Sequence, residues 1–531
     1  MTNRYTGWMT KLGVLSFIAF AVQAQSSISE DNSQAYEYLN VTELNQRLTD
    51  NQLTSVELVN YLNNRIQALD KEGPHLKAVL ELNPQALADA ALRDSERASG
   101  SIRGPLHGIP VLIKDNIDTA DLMQTTAGSL AMAGLPAAQD AFVIQQLRDA
   151  GAIILGKANM SEWAGMRDPE APRGWSGRGG QGLNPHVLSA GPCGSSSGPA
   201  SALAAGFAPL SVGTETNGSI ICPSADNGIV GLKPSLGLVS RSGVIPITRR
   251  QDTPGPMART VYDVALLLNH LAGADPTDPP TADAPQDTDY TSALSTEALQ
   301  GKRIGVVLNN EETRSATFPL WPTVMTTQDR SQCDLGNGMV HDLGVQFCTA
   351  LKAIQGKGAT LVPVTLSLPD MSDYFQVMMA GMKLELQAYL NTRSGLPIAT
   401  LNNLITFNEQ NPGEGNYGQR MLEQANAQTW SEEQIDAVWL PIQASFKSMI
   451  DARFNDDTLD AMVADFDGGI SQPSAAIAGY PVITVPSGVE PGGVPTSISF
   501  IGSMWGDAGL LALAYAYEQA SLKLVHPTFR P

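Results

Sequence analysis

The segment AFVIQQLRDAGAIILGKAN, Ala141 to Asn159, constrains the fold more than any other. Apolar residues at helical spacing give way at Gly151 to a continuous aliphatic run, which reads as helix, glycine turn, then strand. GVQFCTALKAIQGKGATLVPVTL, Gly344 to Leu366, repeats that unit. A chain that alternates helices with apolar strands must cover both faces of a sheet. Further short apolar runs, Ile109–Ile113, Leu210–Gly213, Lys302–Leu308, Tyr480–Gly488 and Ser497–Gly502, supply more strands. Helices are expected over Thr54–Leu69, Ala86–Gly100, Pro199–Ala208, much of 372–452, and Asp507–Leu522. No internal repeat or linker interrupts the pattern. The expectation is an α/β protein: a single large domain, residues 36–531, with a mixed central β-sheet flanked by helices on both faces. A helical insertion is expected over about 310–450.

Composition excludes some functions. The 531 residues are 43% hydrophobic and 16% charged, which fits a large packed core. The formal net charge of −20 repels phosphate backbones, and no basic run with interleaved aromatics offsets it, so no nucleic-acid partner is expected. Arg4 and Lys11 precede the apolar run Leu12–Val22, and Ala24 stands at a cleavage point. Residues 1–24 therefore read as a signal peptide and 25–35 as a polar leader. The apolar run is too short for a membrane span, so an exported protein, periplasmic or extracellular, is expected. Export permits disulfides among the four cysteines. Cys333 and Cys348 are a candidate pair; Cys193 and Cys222 either pair or remain small buried thiols.

Six histidines form no HExxH or HxH pair, and no CxxC occurs, so no metal site is expected. GRGGQG, Gly177 to Gly182, follows no strand and is not read as a dinucleotide site. The loop GPCGSSSG, Gly191 to Gly198, contains a GxSxG pattern that would make Ser196 a nucleophile. The strand that such an elbow requires is missing upstream. A second segment, GTETNGSI, puts Ser219 after a turn whose consecutive backbone N–H groups can stabilise an oxyanion. Lys114 ends the apolar strand PVLIK, where burial favours a neutral amine able to act as a base.

Together these segments resemble the amidase signature family. GSSSG, then GTETNGSI, then GIVGLKPSLGLVSRSGVIP (Gly228 to Pro246) follow its hallmark order, and IPVLIKDN supplies its upstream lysine. The resemblance is densest from about 107 to 259. GPCGSSSG, GTETNGSIICP and QDTPGPMAR are closest to the peptide amidase branch. It implies a Ser–cisSer–Lys triad in which Ser219 is nucleophile, Ser195 a bridging serine on a cis peptide, and Lys114 the base. Backbone N–H groups of Thr216, Asn217, Gly218 and Ser219 would form the oxyanion hole. Ser196 is then a structural neighbour. The implied activity is hydrolysis of carboxamides through an acyl-enzyme, with no cofactor and no metal, on a small-molecule or peptide amide. Three positions depart from the family wording. Asn217 replaces a glycine, Ser197 replaces a glycine, and Ile221 replaces an arginine. Loss of that cation favours a neutral or longer substrate, the C-terminal amide of a peptide. Alternatives are aryl or fatty acyl amides, cyclic ureas or carbamates, a Ser–His–Asp hydrolase using Ser196, a component of a tRNA-dependent amidotransferase, and a non-catalytic binding protein on the same scaffold.

Overall fold

The computed structural model describes residues 35–308, 329–336, 338, 340–411, 417–465 and 471–531. The expected signal peptide and the leader up to residue 34 lie outside the described residues. No described helix is long and apolar enough to cross a membrane.

Eleven strands form one mixed sheet: β1 (Val79–Leu82), β2 (Pro110–Lys114), β3 (Ile153–Ala158), β4 (Leu210–Glu215), β5 (Val230–Lys233), β6 (Thr253–Ala258), β7 (Arg303–Val307), β8 (Thr360–Val364), β9 (Ala461–Asp465), β10 (Val482–Val489) and β11 (Pro495–Ile501). The spatial order is β1-β3-β2-β4-β6-β5-β10-β11-β9-β7-β8. Strands β3, β2 and β4 run parallel, as do β9, β7 and β8. Antiparallel pairings of β6, β5, β10 and β11 join the two parallel groups.

The sheet divides two hydrophobic cores, and strand periodicity does the sorting. On β9, Ala461 and Val463 join one core, while Met462 and Ala464 join the other. The first core is closed by helices that include Val41–Thr49, Ser55–Ile66, Val261–Leu271 and Asp507–Ser521. The second is closed by Tyr374–Leu390, Leu401–Gln410 and Glu432–Asp456. Local signals agree with this arrangement. Thr54 caps Ser55–Ile66 by accepting from the Glu57 N–H, and the Glu57 carboxylate accepts from the Thr54 N–H.

Two features differ from expectation. TPGPMA, Thr253 to Ala258, is a central strand despite Pro254 and Pro256. Its neighbour β5 meets it only at Met257 and Ala258, so both prolines lie beyond the doubly paired stretch. The range 310–450 is not a continuous helical insertion. It contains a hairpin, Arg330–Asp334 with Val340–Gly344, and β8, which pairs in parallel with β7. The uninterrupted helical part begins at Tyr374.

Candidate active site

Lys114 is the last residue of β2, a strand buried along its whole length and paired on both sides. Its side chain is fully enclosed. Three oxygens surround Nζ: Ser195 Oγ at 2.8 Å, Thr214 O at 3.0 Å and Thr214 Oγ1 at 2.8 Å. Burial pushes the amine down to about 7, against the opposing pull of Glu215 and Asp252. Thr214 lies on β4, the parallel neighbour of β2, so the carboxyl ends of two adjacent strands define the site.

Ser195 comes from the loop preceding the helix Ser197–Ala204, and the Gly194–Ser195 peptide is cis. The hydroxyl is buried against Lys114, and the Ser195 carbonyl accepts from Ser161 N–H at 3.1 Å. Ser219 follows β4 in the turn before the helix Ile221–Asp226. Its carbonyl accepts from Ser196 N–H at 3.0 Å, which ties the two serine segments together. Its hydroxyl is not part of the Lys114 hydrogen-bonded set. Ser219 is 9% exposed where Lys114 and Ser195 are at 0%, and among the three it is the one that lines the larger cavity. Ser196 points elsewhere: its hydroxyl donates to Thr214 O at 3.1 Å and accepts from Thr214 N at 3.3 Å. No histidine lines this cavity or the smaller one beside Ser195.

Glu215 was not singled out by sequence reasoning, yet it organises the turn. Its buried carboxylate accepts from Gly218 N (2.7 Å), Ile220 N (2.7 Å), Ile221 N (3.0 Å) and Gln472 Nε2 (2.8 Å). The Gly218 N–H, expected in the oxyanion hole, is therefore already bound. Gly218 takes φ +82°, a left-handed conformation that glycine adopts without a Cβ clash, and its N–H is held by the carboxylate. The N–H groups of Thr216, Asn217 and Ser219 have no hydrogen-bond partner among the described residues. The Thr216 hydroxyl donates to Asp252, which also accepts from Ile247 N (2.8 Å) and Thr248 N (2.9 Å). Burial lifts the Asp252 carboxyl to about 6.

The cavity in front of Ser219, with the open solvent at its mouth, spans about 650 Å³. Gly194, Thr216 and Asn217 form its floor with Ser219. The opposite wall comes from the helix Tyr374–Leu390, through Tyr374, Phe375 and Met378. Asn217 Nδ2 donates to the Tyr374 hydroxyl at 3.0 Å and joins the two walls. Met166, Ile247 and Met421 add apolar surface, and Arg173 also lines the cavity. Both cysteine pairs are disulfides: Cys193 with Cys222, and Cys333 with Cys348.

A family model described as Amidase matches residues 57–318. A probable amidase of Arabidopsis thaliana is 36% identical over 520 residues, covering 96% of each chain. The crystal structure of native peptide amidase from Stenotrophomonas maltophilia superposes with a TM-score of 0.81 at 40% identity, covering 93% of this chain and 99% of that one. One of the glutamyl-tRNA(Gln) amidotransferase subunits of a Picosynechococcus species is 31% identical over 511 residues, 90% of this chain and 97% of its own.

Proposed function

Because this chain belongs to the amidase signature family, and is an amidohydrolase, we propose that it hydrolyses carboxamides through Lys114, Ser195 and Ser219, with the C-terminal amide of a peptide as substrate. The observation that carries the triad is the bonding set around Lys114 Nζ. A neutral amine has two N–H donors and one lone pair. Thr214 O and Thr214 Oγ1 match the two donors, and the Ser195 hydroxyl matches the lone pair. A value of about 7 for the amine keeps much of it neutral near pH 7.

Ser195 gives its proton to Lys114 and takes one from Ser219 as the Ser219 oxygen attacks the amide carbon. The developing oxyanion turns to the unpartnered N–H groups of the turn, chiefly Thr216, Asn217 and Ser219. The relay then returns the proton to the leaving nitrogen. Ammonia departs and an ester to Ser219 remains. Water attacks the ester by the same route in reverse, which yields the free acid and restores the hydroxyl. Amide and water become acid and ammonia, and the enzyme ends as it began.

Support for a peptide amide comes from the cavity. Its lining by Met166, Ile247, Phe375, Met378 and Met421 suits an apolar side chain beside the amide more than a small aliphatic amide. Ile221 supplies no cation for an acidic substrate. The likeness to a peptide amidase points the same way. We also propose that the protein is exported. The apolar N-terminal run supports this, and two disulfides suit an oxidising compartment. Ammonia release measured over amidated peptides, free amino acid amides and aliphatic amides tests the substrate. Amidated peptides ending in a large apolar residue should have the highest kcat/KM, and a preference for acetamide would overturn the proposal.

A further inference from the structure

We infer that the Cys193–Cys222 disulfide is a positioning device for the serine pair. The inference rests on the triad reading above. Cys193 stands two residues before Ser195, and Cys222 three residues after Ser219. The bond therefore closes the two serine-bearing segments on each other, with 5.9 Å between the Cα atoms. Each half-cystine also touches the reactive backbone. The Cys222 N–H donates to the Gly218 carbonyl at 2.8 Å, inside the turn that carries Ser219. Cys193 precedes Gly194, which lines the cavity beside Ser219.

The loop on the Cys193 side is tied elsewhere near its ends, by Leu188 N–H to Arg530 O at 2.7 Å and Ser161 N–H to Ser195 O at 3.1 Å. Residues 188–195 contain no helix or strand. Around the disulfide, Asn227 Nδ2 donates to Pro192 O at 2.9 Å, a second tie between the same two segments. The N–H of Ser196 bonds to Ser219 O on the far side of Ser195. Ser195 is thus held between a covalent tie and a hydrogen bond, both ending on the Ser219 segment. An error of about 1 Å in such a geometry costs roughly a hundredfold in rate.

The Cys333–Cys348 bond provides an internal comparison. It joins the hairpin strand Arg330–Asp334 to the helix Val345–Gly356 and touches neither serine segment.

The test compares Cys193→Ala/Cys222→Ala with Cys333→Ala/Cys348→Ala. Readouts are kcat, KM, melting temperature and the rate at which a fluorophosphonate labels Ser219. The first variant should lose at least about tenfold in kcat and in labelling rate, with KM within about threefold. Its acid limb should stay near pH 7, because burial at the end of β2, beside Glu215 and Asp252, sets the Lys114 value. The comparison variant should lose melting temperature and keep kcat. If Cys193→Ala/Cys222→Ala fails to fold, reduction of the folded Cys333→Ala/Cys348→Ala variant, which keeps only the Cys193–Cys222 bond, takes its place. A dithiol then cyclises to its own disulfide as the two cysteines gain two electrons and two protons, and labelling should slow as those thiols appear. Equal labelling before and after the bond is lost, where the wild type does label at Ser219, overturns the inference alone. A wild type whose Ser219 resists the probe overturns the triad reading and the inference with it.

Discussion

If Lys114 is the base, as proposed, its amine should set an acid limb on turnover at a position that follows from burial. Its ordinary value of 10.5 falls to about 7 in the folded chain. That difference corresponds to roughly 5 kcal/mol of lost solvation that the site does not recover. With a midpoint of about 7, the neutral fraction is about one-half at pH 7, about one-tenth at pH 6 and about one-hundredth at pH 5. Log kcat/KM for an uncharged amide substrate should therefore rise with a slope of one up to about pH 7 and level off above it. Two other buried acids titrate nearby, Asp252 at about 6 and Glu385 at about 7. The limb must accordingly survive in Asp252→Asn and in Glu385→Gln, whatever their activity. Lys114→Met keeps the shape and removes the base, and should cost about 10²–10⁴ in kcat. The same variant has a second readout. The folded value of the lysine lies below the unfolded one, so between about 7 and 10.5 the unfolded chain holds a proton that the folded chain lacks. Stability from this group thus rises with pH across that window, and the penalty is fully present below it. Lys114→Met should melt higher than wild type at pH 6 while being inactive. A flat rate profile from pH 5 to 8, or a limb abolished by Asp252→Asn, would refute the assignment of the base.

Other substitutions sort the remaining roles. Ser219→Ala should abolish both turnover and fluorophosphonate labelling, and Ser195→Ala should slow both. Ser196→Ala, which loses only its bonds to the Thr214 backbone, should retain turnover; the reverse ranking, scored by ammonia release, would point to the GxSxG reading. Glu215→Gln removes the charge that gathers three turn N–H groups, and should lower kcat by about 10²-fold and stability by about 2–3 kcal/mol in urea titration. Asp118 accepts from Tyr389 Oη (2.8 Å) and pairs with Arg393 (3.0 Å), all buried. Asp118→Ala strands that guanidinium and should cost about 3–5 kcal/mol, with kcat largely preserved in the folded fraction.

The sequence made the chemistry legible more readily than the enclosure around it. Lys114, Ser195 and Ser219 lie in short segments whose order carries the family resemblance, and β2 and β3 announce themselves by continuous apolar runs. Other parts are invisible locally. Thr253–Ala258 contains two prolines, and only knowledge of where β5 stops explains their tolerance. Gly218 looked free to donate until Glu215 was found beneath it, since the sequence does not say which way a turn N–H points. The cavity wall was least accessible to sequence reasoning. Tyr374 meets Asn217 across 157 positions, and neither residue carries a motif that predicts the other. Helical periodicity placed Tyr374 and Met378 in a helix without indicating what that helix faces.

The division of the cavity between two layers has an evolutionary corollary. The proposed base Lys114 and its partner Thr214 are anchored in strands locked by neighbours on both sides, whereas Phe375, Met378 and Met421 belong to a helical layer on the second core. Residues of that layer can be exchanged without disturbing the register of β2 and β4. A scaffold built this way can hold its reaction constant and drift among acyl groups, one side chain at a time. Directed evolution of this enzyme should accordingly find new substrates in the helices and find only losses in the strands.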